Sequence, residues 1–251
     1  MIGEDGATLL FVPKGDFIMG ASADDMLQAC GKLRPDCRRE WFKNVEPART
    51  VTLDAFWIDE TEVTNKMYKA CVDAGACKPP FQSNSETRKN YFGNPEYDDY
   101  PVTYVTWEHA NAYCTWAGRK LPTEAEWEKA ARGTDGRVYP WGNEVENETL
   151  LNYSLKVGDT TPVKAYPLGV SPYGAYDMAG NIWEWVADWY DPAYYQTAPS
   201  VNPMGPDSGE TKVSRGGAWI FYDFDMFATD RYGNYPQTTN SVIGFRCARP
   251  E

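Results

Sequence analysis

A single α+β domain with high loop content is the fold this sequence predicts, on three observations. Helix start and stop signals recur between residues 64 and 133. Short alternating apolar stretches flank them. Beyond Gly133 all periodicity is lost, while Gly, Pro and aromatic residues dominate, with Trp 10 and Tyr 17 in the whole chain. A chain of 251 residues with 42 % apolar content can bury one sizeable core, and no linker-like segment divides it. Residues 1–251 are therefore expected to form one domain.

In chain order, residues 8–12 and 16–19, joined at Pro13-Lys14-Gly15, predict a short hairpin. Residues 21–47 are polar and irregular and read as a loop. Alternation from Arg49 to Val63 predicts a strand. Thr64 is the N-cap of a helix carrying Met67, Tyr68, Cys71 and Val72 on one face and stopping near Gly75. Residues 78–100 form a second polar loop. Thr106 caps the next helix, in which Ala110, Tyr113, Cys114 and Ala117 make a buried stripe ended by Gly118. Thr123 with Glu126 three residues on is a capping box, and Trp127 and Ala130 continue the buried face to Gly133.

The stretch Tyr173 to Trp189 organises the second half. A strand from Ile182 puts Trp183, Trp185 and Ala187 on one face and Ile182, Glu184 and Val186 on the other. Glu184 is then a carboxylate on an apolar face and must meet a cation. Two readings stay open: Glu184 and Asp177 share Ca2+ with the carbonyls of the turn between them, or Glu184 pairs with Arg215 or Arg246 while Asp177 closes a turn.

The net charge is −12, with no basic run, so neither nucleic acid nor an anionic membrane surface is an expected partner. No apolar run reaches the length of a membrane span. The chain shows no export signal, and its compartment is left open. Six cysteines include two local couples, Cys30/Cys37 and Cys71/Cys77, and a distant pair of residues, Cys114 and Cys247. Disulfides, and with them an oxidising compartment, are favoured over a metal site, and free thiols are the alternative. The lone histidine, His109, sits in the first turn of a helix with no nucleophile beside it, which supports no catalytic triad.

The series Thr61-Glu-Val-Thr64, Pro101–Trp107, Ala112–Gly118, Leu121–Glu128, Tyr139–Gly142, Asp177–Trp185, Arg215–Trp219 and Gly244–Cys247 resembles the motifs of the formylglycine-generating enzyme (sulfatase-modifying factor) family, in the family's order and over nearly the whole chain. The resemblance implies a variant of the C-type-lectin-like fold. It implies a structural Ca2+ site at Asp177, Gly180, Ile182 and Glu184, with backbone oxygens at the middle two. A second site would fall at Asn152 and Tyr153, with Asp159 completing it. It also implies a Cys114–Cys247 disulfide.

The resemblance fails at catalysis. Family members that make formylglycine hold Cu(I) between two cysteines past the Arg-Gly-Gly motif. The matching positions here are Phe221 and Met226, so no copper is expected. In their place, residues 219–243 are rich in aromatic, acidic and small polar residues, the chemistry of an antibody paratope. The resemblance extends to variable proteins of diversity-generating retroelements, in which a segment between Arg-Gly-Gly and Gly-Phe-Arg is diversified. Most of residues 220–242 fits the set that mutated adenine-containing codons reach, Met226 and Gln237 excepted.

The function expected is a non-catalytic binding domain that displays residues 220–242 to a protein or other macromolecular ligand. Ile220, Phe221, Tyr222, Asp223, Phe224, Asp225, Phe227, Asp230, Tyr232, Asn234 and Tyr235 are the candidate contacts. Arg215, Arg246 and Trp219 are scaffold, the two arginines bracing the acids of the central stretch. The alternative is a divergent oxidoreductase of the same family using another metal or residue set. A sugar lectin fits less well, since the Glu-Pro-Asn and Gln-Pro-Asp triplets are missing.

Overall fold

The structure, a computed structural model, describes residues 1–251 except the side chain of Asp223. Its first half is built on two ribbons that cross-pair. Strand β1 (Leu9–Val12) runs antiparallel to β4 (Phe56–Asp59), with Leu9 opposite Asp59. Strand β2 (Gly15–Met19) pairs with β3 (Arg49–Leu53), with Met19 opposite Arg49. The predicted hairpin of 8–12 with 16–19 is therefore not formed. Each arm finds its partner beyond the 20–48 loop, and the long predicted strand from Arg49 breaks at Asp54-Ala55 to serve both. The C-terminal β9 (Ala248–Pro250) adds to the free edge of β4 and closes this sheet.

The predicted loop 21–47 holds a helix, α1 (Ala23–Cys30), because Ser22 Oγ accepts the Asp24 and Asp25 amides and Met26 and Cys30 bury one face. A 3-10 turn at Arg39–Val45 follows. The other helices start where the caps place them: α2 (Asn65–Asp73) behind Thr64, α3 (Trp107–Trp116) behind Thr106, and α4 (Glu124–Arg132) behind the complete Thr123/Glu126 box. A short α5 (Tyr194–Thr197) lies further on.

The second half centres on β5 (Trp183–Trp189) in a sheet ordered β7 (Arg231–Asn234), β6 (Lys212–Arg215), β5, β8 (Ile243–Phe245). β8 is parallel to β5 and the other pairs are antiparallel. Trp183 and Trp185 pack with Tyr113, Phe245 and Cys247, and Val186 packs with Trp127 and Met178, so both faces of β5 are covered. Between α4 and β5 the chain forms no strand or helix, as the lost periodicity predicts. Disulfides join Cys30 to Cys37, Cys71 to Cys77 and Cys114 to Cys247, the last sewing α3 to the turn between β8 and β9.

Candidate functional site

Glu184 meets an arginine, as its buried position requires. The Arg246 guanidinium forks onto it, Nη2 to Oε1 and Nε to Oε2, each at 2.7 Å. The Trp127 indole donates to Oε2 at 2.8 Å. Arg246 is spent further on the carbonyls of Asp59 and Tyr176. Two more acids lie close by. Asp177 holds φ +56° and accepts the Lys164 amide at 3.2 Å. Glu62, which sequence reasoning passed over within the Thr61–Thr64 motif, accepts from Asn181 Nδ2 at 3.1 Å.

One guanidinium thus faces three buried carboxylates. Burial first, then the charges of Asp177 and Glu184, hold the Glu62 carboxyl well above its usual range. Burial, opposed by the Lys164 amide and Arg246, pushes Asp177 up to about 6.

Two buried oxygens in this neighbourhood have no hydrogen-bond partner, Glu62 Oε2 and Asn152 Oδ1. Asn181 ties them together, accepting from Asn152 Nδ2 at 3.3 Å while donating to Glu62. Asp159 does not join Asn152 and Tyr153 as an open ligand. Its carboxylate accepts from Ser85, from Thr87 and from the Thr160 amide, and pairs with Arg88 at 3.1 Å. The Tyr153 carbonyl accepts the Lys156 amide. Among the described residues no three Asp, Glu, His or Cys side chains converge at metal-binding distance, so an ion here would draw on backbone and amide oxygens as well.

Arg215 braces a different set of acids from the one expected. It leaves the central stretch and pairs with α4, Nη2 to Glu128 Oε2 at 2.8 Å and Nη1 to Glu124 Oε1 at 3.5 Å. Arg132 takes the other Glu128 oxygen at 2.6 Å, and Arg231 forks onto Glu124 at 2.8 and 2.6 Å. The same Arg215 head donates to the carbonyls of Ala228, Thr229 and Asp230, and Arg231 donates to those of Asn44 and Asp191. Arg215, ion-paired to α4, therefore holds the backbone of the C-terminal segment at 228–230, while Arg231, itself part of that segment, anchors it to Glu124 and to the Asn44 and Asp191 carbonyls.

That segment divides its side chains. Tyr222, Tyr232 and Tyr235 stand out at 47, 59 and 61 % exposure. Ile220, Phe221, Phe224, Asp225, Asp230 and Asn234 are half-buried, and the Asp223 side chain lies outside the described residues. Phe227 belongs to the core instead: it is 1 % exposed and packs on Phe42 and Tyr139, so it is no contact residue. Phe224 leans on Trp41 and Phe42.

Phe221, Asp225, Tyr232 and Asn234 line one cavity of about 260 Å³ with Trp183 and Asn240. Trp183 meets Phe221 at 5.8 Å and 81°, and Tyr232 at 6.2 Å and 41°. Trp183 is a lining residue that the sequence does not single out as a contact, because only the sheet brings β5 under this segment, and Asn240 reaches the cavity from the segment's own far end.

Phe221 borders this cavity, and Met226, fully buried, sits against Gly217, where its Cε leaves no room for a Cβ. All six cysteines are in disulfides. His109 is half-buried and stacked on Phe81 at 5.3 Å, burial lowering its pKa, and it does not line the cavity.

The model of the Sulfatase-modifying factor enzyme 1-like domain matches residues 3–251. The chain is 32 % identical over 293 residues to the formylglycine-generating enzyme of Streptomyces coelicolor, covering 94 % of this chain and 87 % of that protein. It is 36 % identical over 224 residues to the serine/threonine-protein kinase pkn1 of Chlamydia caviae, covering 84 % of this chain. It spans only 35 % of that relative's length. Among solved structures, PvdO from Pseudomonas aeruginosa aligns with TM-score 0.79 at 26 % identity, over 99 % of this chain and 96 % of that one. Treponema denticola variable protein 1 aligns with TM-score 0.70 at 23 % identity, over 98 and 95 % of the two chains. The last shares the fold.

Proposed function

The chain belongs to the Sulfatase-modifying factor enzyme 1-like family, and from that premise we propose that it is a non-catalytic binding domain, presenting residues 220–242 to a protein partner. One observation carries this reading. By the family resemblance the copper thiolates fall at about Phe221 and Met226, and no cysteine is left unpaired to replace them. A soft Cu(I) ion needs thiolate or thioether donors, and a single buried Met226 is not a pair. The ground where the family performs chemistry is instead an aromatic cavity bordered by the exposed Tyr232, with Tyr222 and Tyr235 exposed outside it, and tyrosines supply rigid contact area at little entropic cost.

Calcium is proposed as a brace. Of the ligands expected at the first site, Asp177 and the Gly180 and Ile182 carbonyls remain, Glu184 being taken by Arg246 and Trp127; with Glu62 in its place and Asn152 Oδ1 from the second site, and more buried negative charge than Arg246 neutralises, these hard oxygens suit a hard divalent cation. When bound it would supply positive charge to the turn under β5 and take no part in ligand contact. Chelation is expected to lower the thermal midpoint and Ca2+ to restore it. An unchanged midpoint would remove the ion from the account.

Diversification of the displayed segment is part of the proposal. Sequencing this locus across related isolates is expected to concentrate substitutions at 220–242, sparing Arg215-Gly-Gly217 and Gly244-Phe-Arg246. The decisive assay for the whole reading is anaerobic Cu(I) titration followed by incubation with a cysteine peptide. We expect neither copper retention nor aldehyde; turnover would establish the divergent oxidoreductase, which the kinship to formylglycine-generating enzymes favours.

A further inference from the structure

The cavity beneath the displayed segment has a chemistry of its own. We propose that it receives a lysine-type ammonium group presented by the protein partner, an inference that rests on the binding reading above. Three aromatic rings from three separate pieces of chain border the cavity: Trp183 on β5, Phe221 after β6, and Tyr232 on β7. Aromatic faces attract cations through the ring quadrupole, more strongly where water is excluded. Trp183, at 5 % exposure, forms the dry floor, and Tyr232, at 59 %, the rim.

The angles between the rings choose the shape of the cation. At 81° and 41° to Trp183, Phe221 and Tyr232 wall in a compact group and offer no parallel pair of faces to sandwich a planar guanidinium. Asp225 supplies the negative charge at the cavity wall. Asn234 and Asn240 add side-chain amides to the lining, Asn234 donating from Nδ2 to Ser214 Oγ at 2.9 Å. Among the described residues no lysine or arginine lines the cavity, and the chain carries −12 overall, so a basic partner is also steered toward it. The volume of about 260 Å³ takes the end of one side chain and not a folded element.

The test is calorimetric titration of the full chain with acetyl-Gly-Lys-Gly-amide, its Nε-acetyl-lysine analogue and its arginine analogue. The lysine peptide is expected to bind saturably, and the acetylated one about tenfold more weakly or not at all. Tyr232→Ala and Asp225→Asn should each weaken the lysine peptide by about fivefold, and Tyr232→Phe should not. Tyr232 is exposed, so its variants keep the fold, which a thermal melt verifies.

Equal binding of the lysine and acetyl-lysine peptides, tighter binding of the arginine peptide, or no saturation by about 10 mM each overturns the ammonium site. Tyr222→Ala and Tyr235→Ala lie outside the cavity. If they abolish partner binding while the peptides fail, the surface reading stands and only the ammonium site falls.

Discussion

The sharpest claim about the scaffold is that Arg215 holds the C-terminal segment through its backbone. Replacing it by methionine keeps most of the buried volume and removes the charge. Glu128 then loses the 2.8 Å contact but keeps Arg132, the Gly20 amide and the Tyr195 hydroxyl, so it is not stranded. The carbonyls of Ala228, Thr229 and Asp230 lose their donor. Breaking a buried ion pair costs about 3–5 kcal/mol, and a net hydrogen bond about 1. Because these losses share one group they do not add, and about 4 kcal/mol is expected for Arg215→Met. For a chain of this size that lowers the thermal midpoint by roughly 8–16 °C. Urea unfolding with the disulfides intact measures the first quantity, and amide exchange at 228–231 shows whether the segment is what loosens. A loss below about 1 kcal/mol, or unchanged exchange there, would refute the stapling argument.

Other consequences are as direct. Phe227→Ala should cost about 3–5 kcal/mol by emptying a packed site, whereas Tyr222→Ala should cost under about 0.5, and chemical denaturation of the two separates core from displayed face. Burial, then the charge of Glu124, pushes Asp188 up to about 7. The native state therefore holds a proton that the unfolded chain releases near pH 4, and stability should fall as pH rises from about 4 to about 7. Asp188→Asn, which can still accept the Glu124 amide, should flatten that slope and stabilise the protein more at pH 8 than at pH 5, as paired urea titrations would show. Opening Cys114–Cys247, whose ends are 133 positions apart, should cost roughly 5 kcal/mol on the chain-entropy account against about 2 for Cys71–Cys77, 6 positions apart; serine variants measured by thermal melting compare them.

What could be read from the sequence was what is decided locally. Thr64, Thr106 and Thr123 with Glu126 act on amides within three residues, so α2, α3 and α4 begin where those residues say. Ser22 carried the same signal for α1, followed by two acids in the first turn, but the polar run around it masked the Met26–Cys30 face.

Pairing was not legible. β1 and β2 sit beside each other in sequence, yet their partners lie some forty residues on. The acids of α4 look like an exposed face until Arg215 and Arg231 arrive from the far sheet. At the candidate site, Glu184's need for a cation followed from one buried charge among apolar neighbours, but which arginine answers it did not. Phe227 and Tyr222 are indistinguishable by type, and an irregular segment has no period to sort them.

Arg215 grips carbonyl oxygens, a part of the backbone that every amino acid contributes alike to the chain. A clamp of that kind is blind to the outward side chains of the segment it holds, such as Tyr222, Tyr232 and Tyr235. Replacing one outward side chain by another leaves the grip untouched, so many alternative surfaces can be tried on a frame whose folding cost has already been met below.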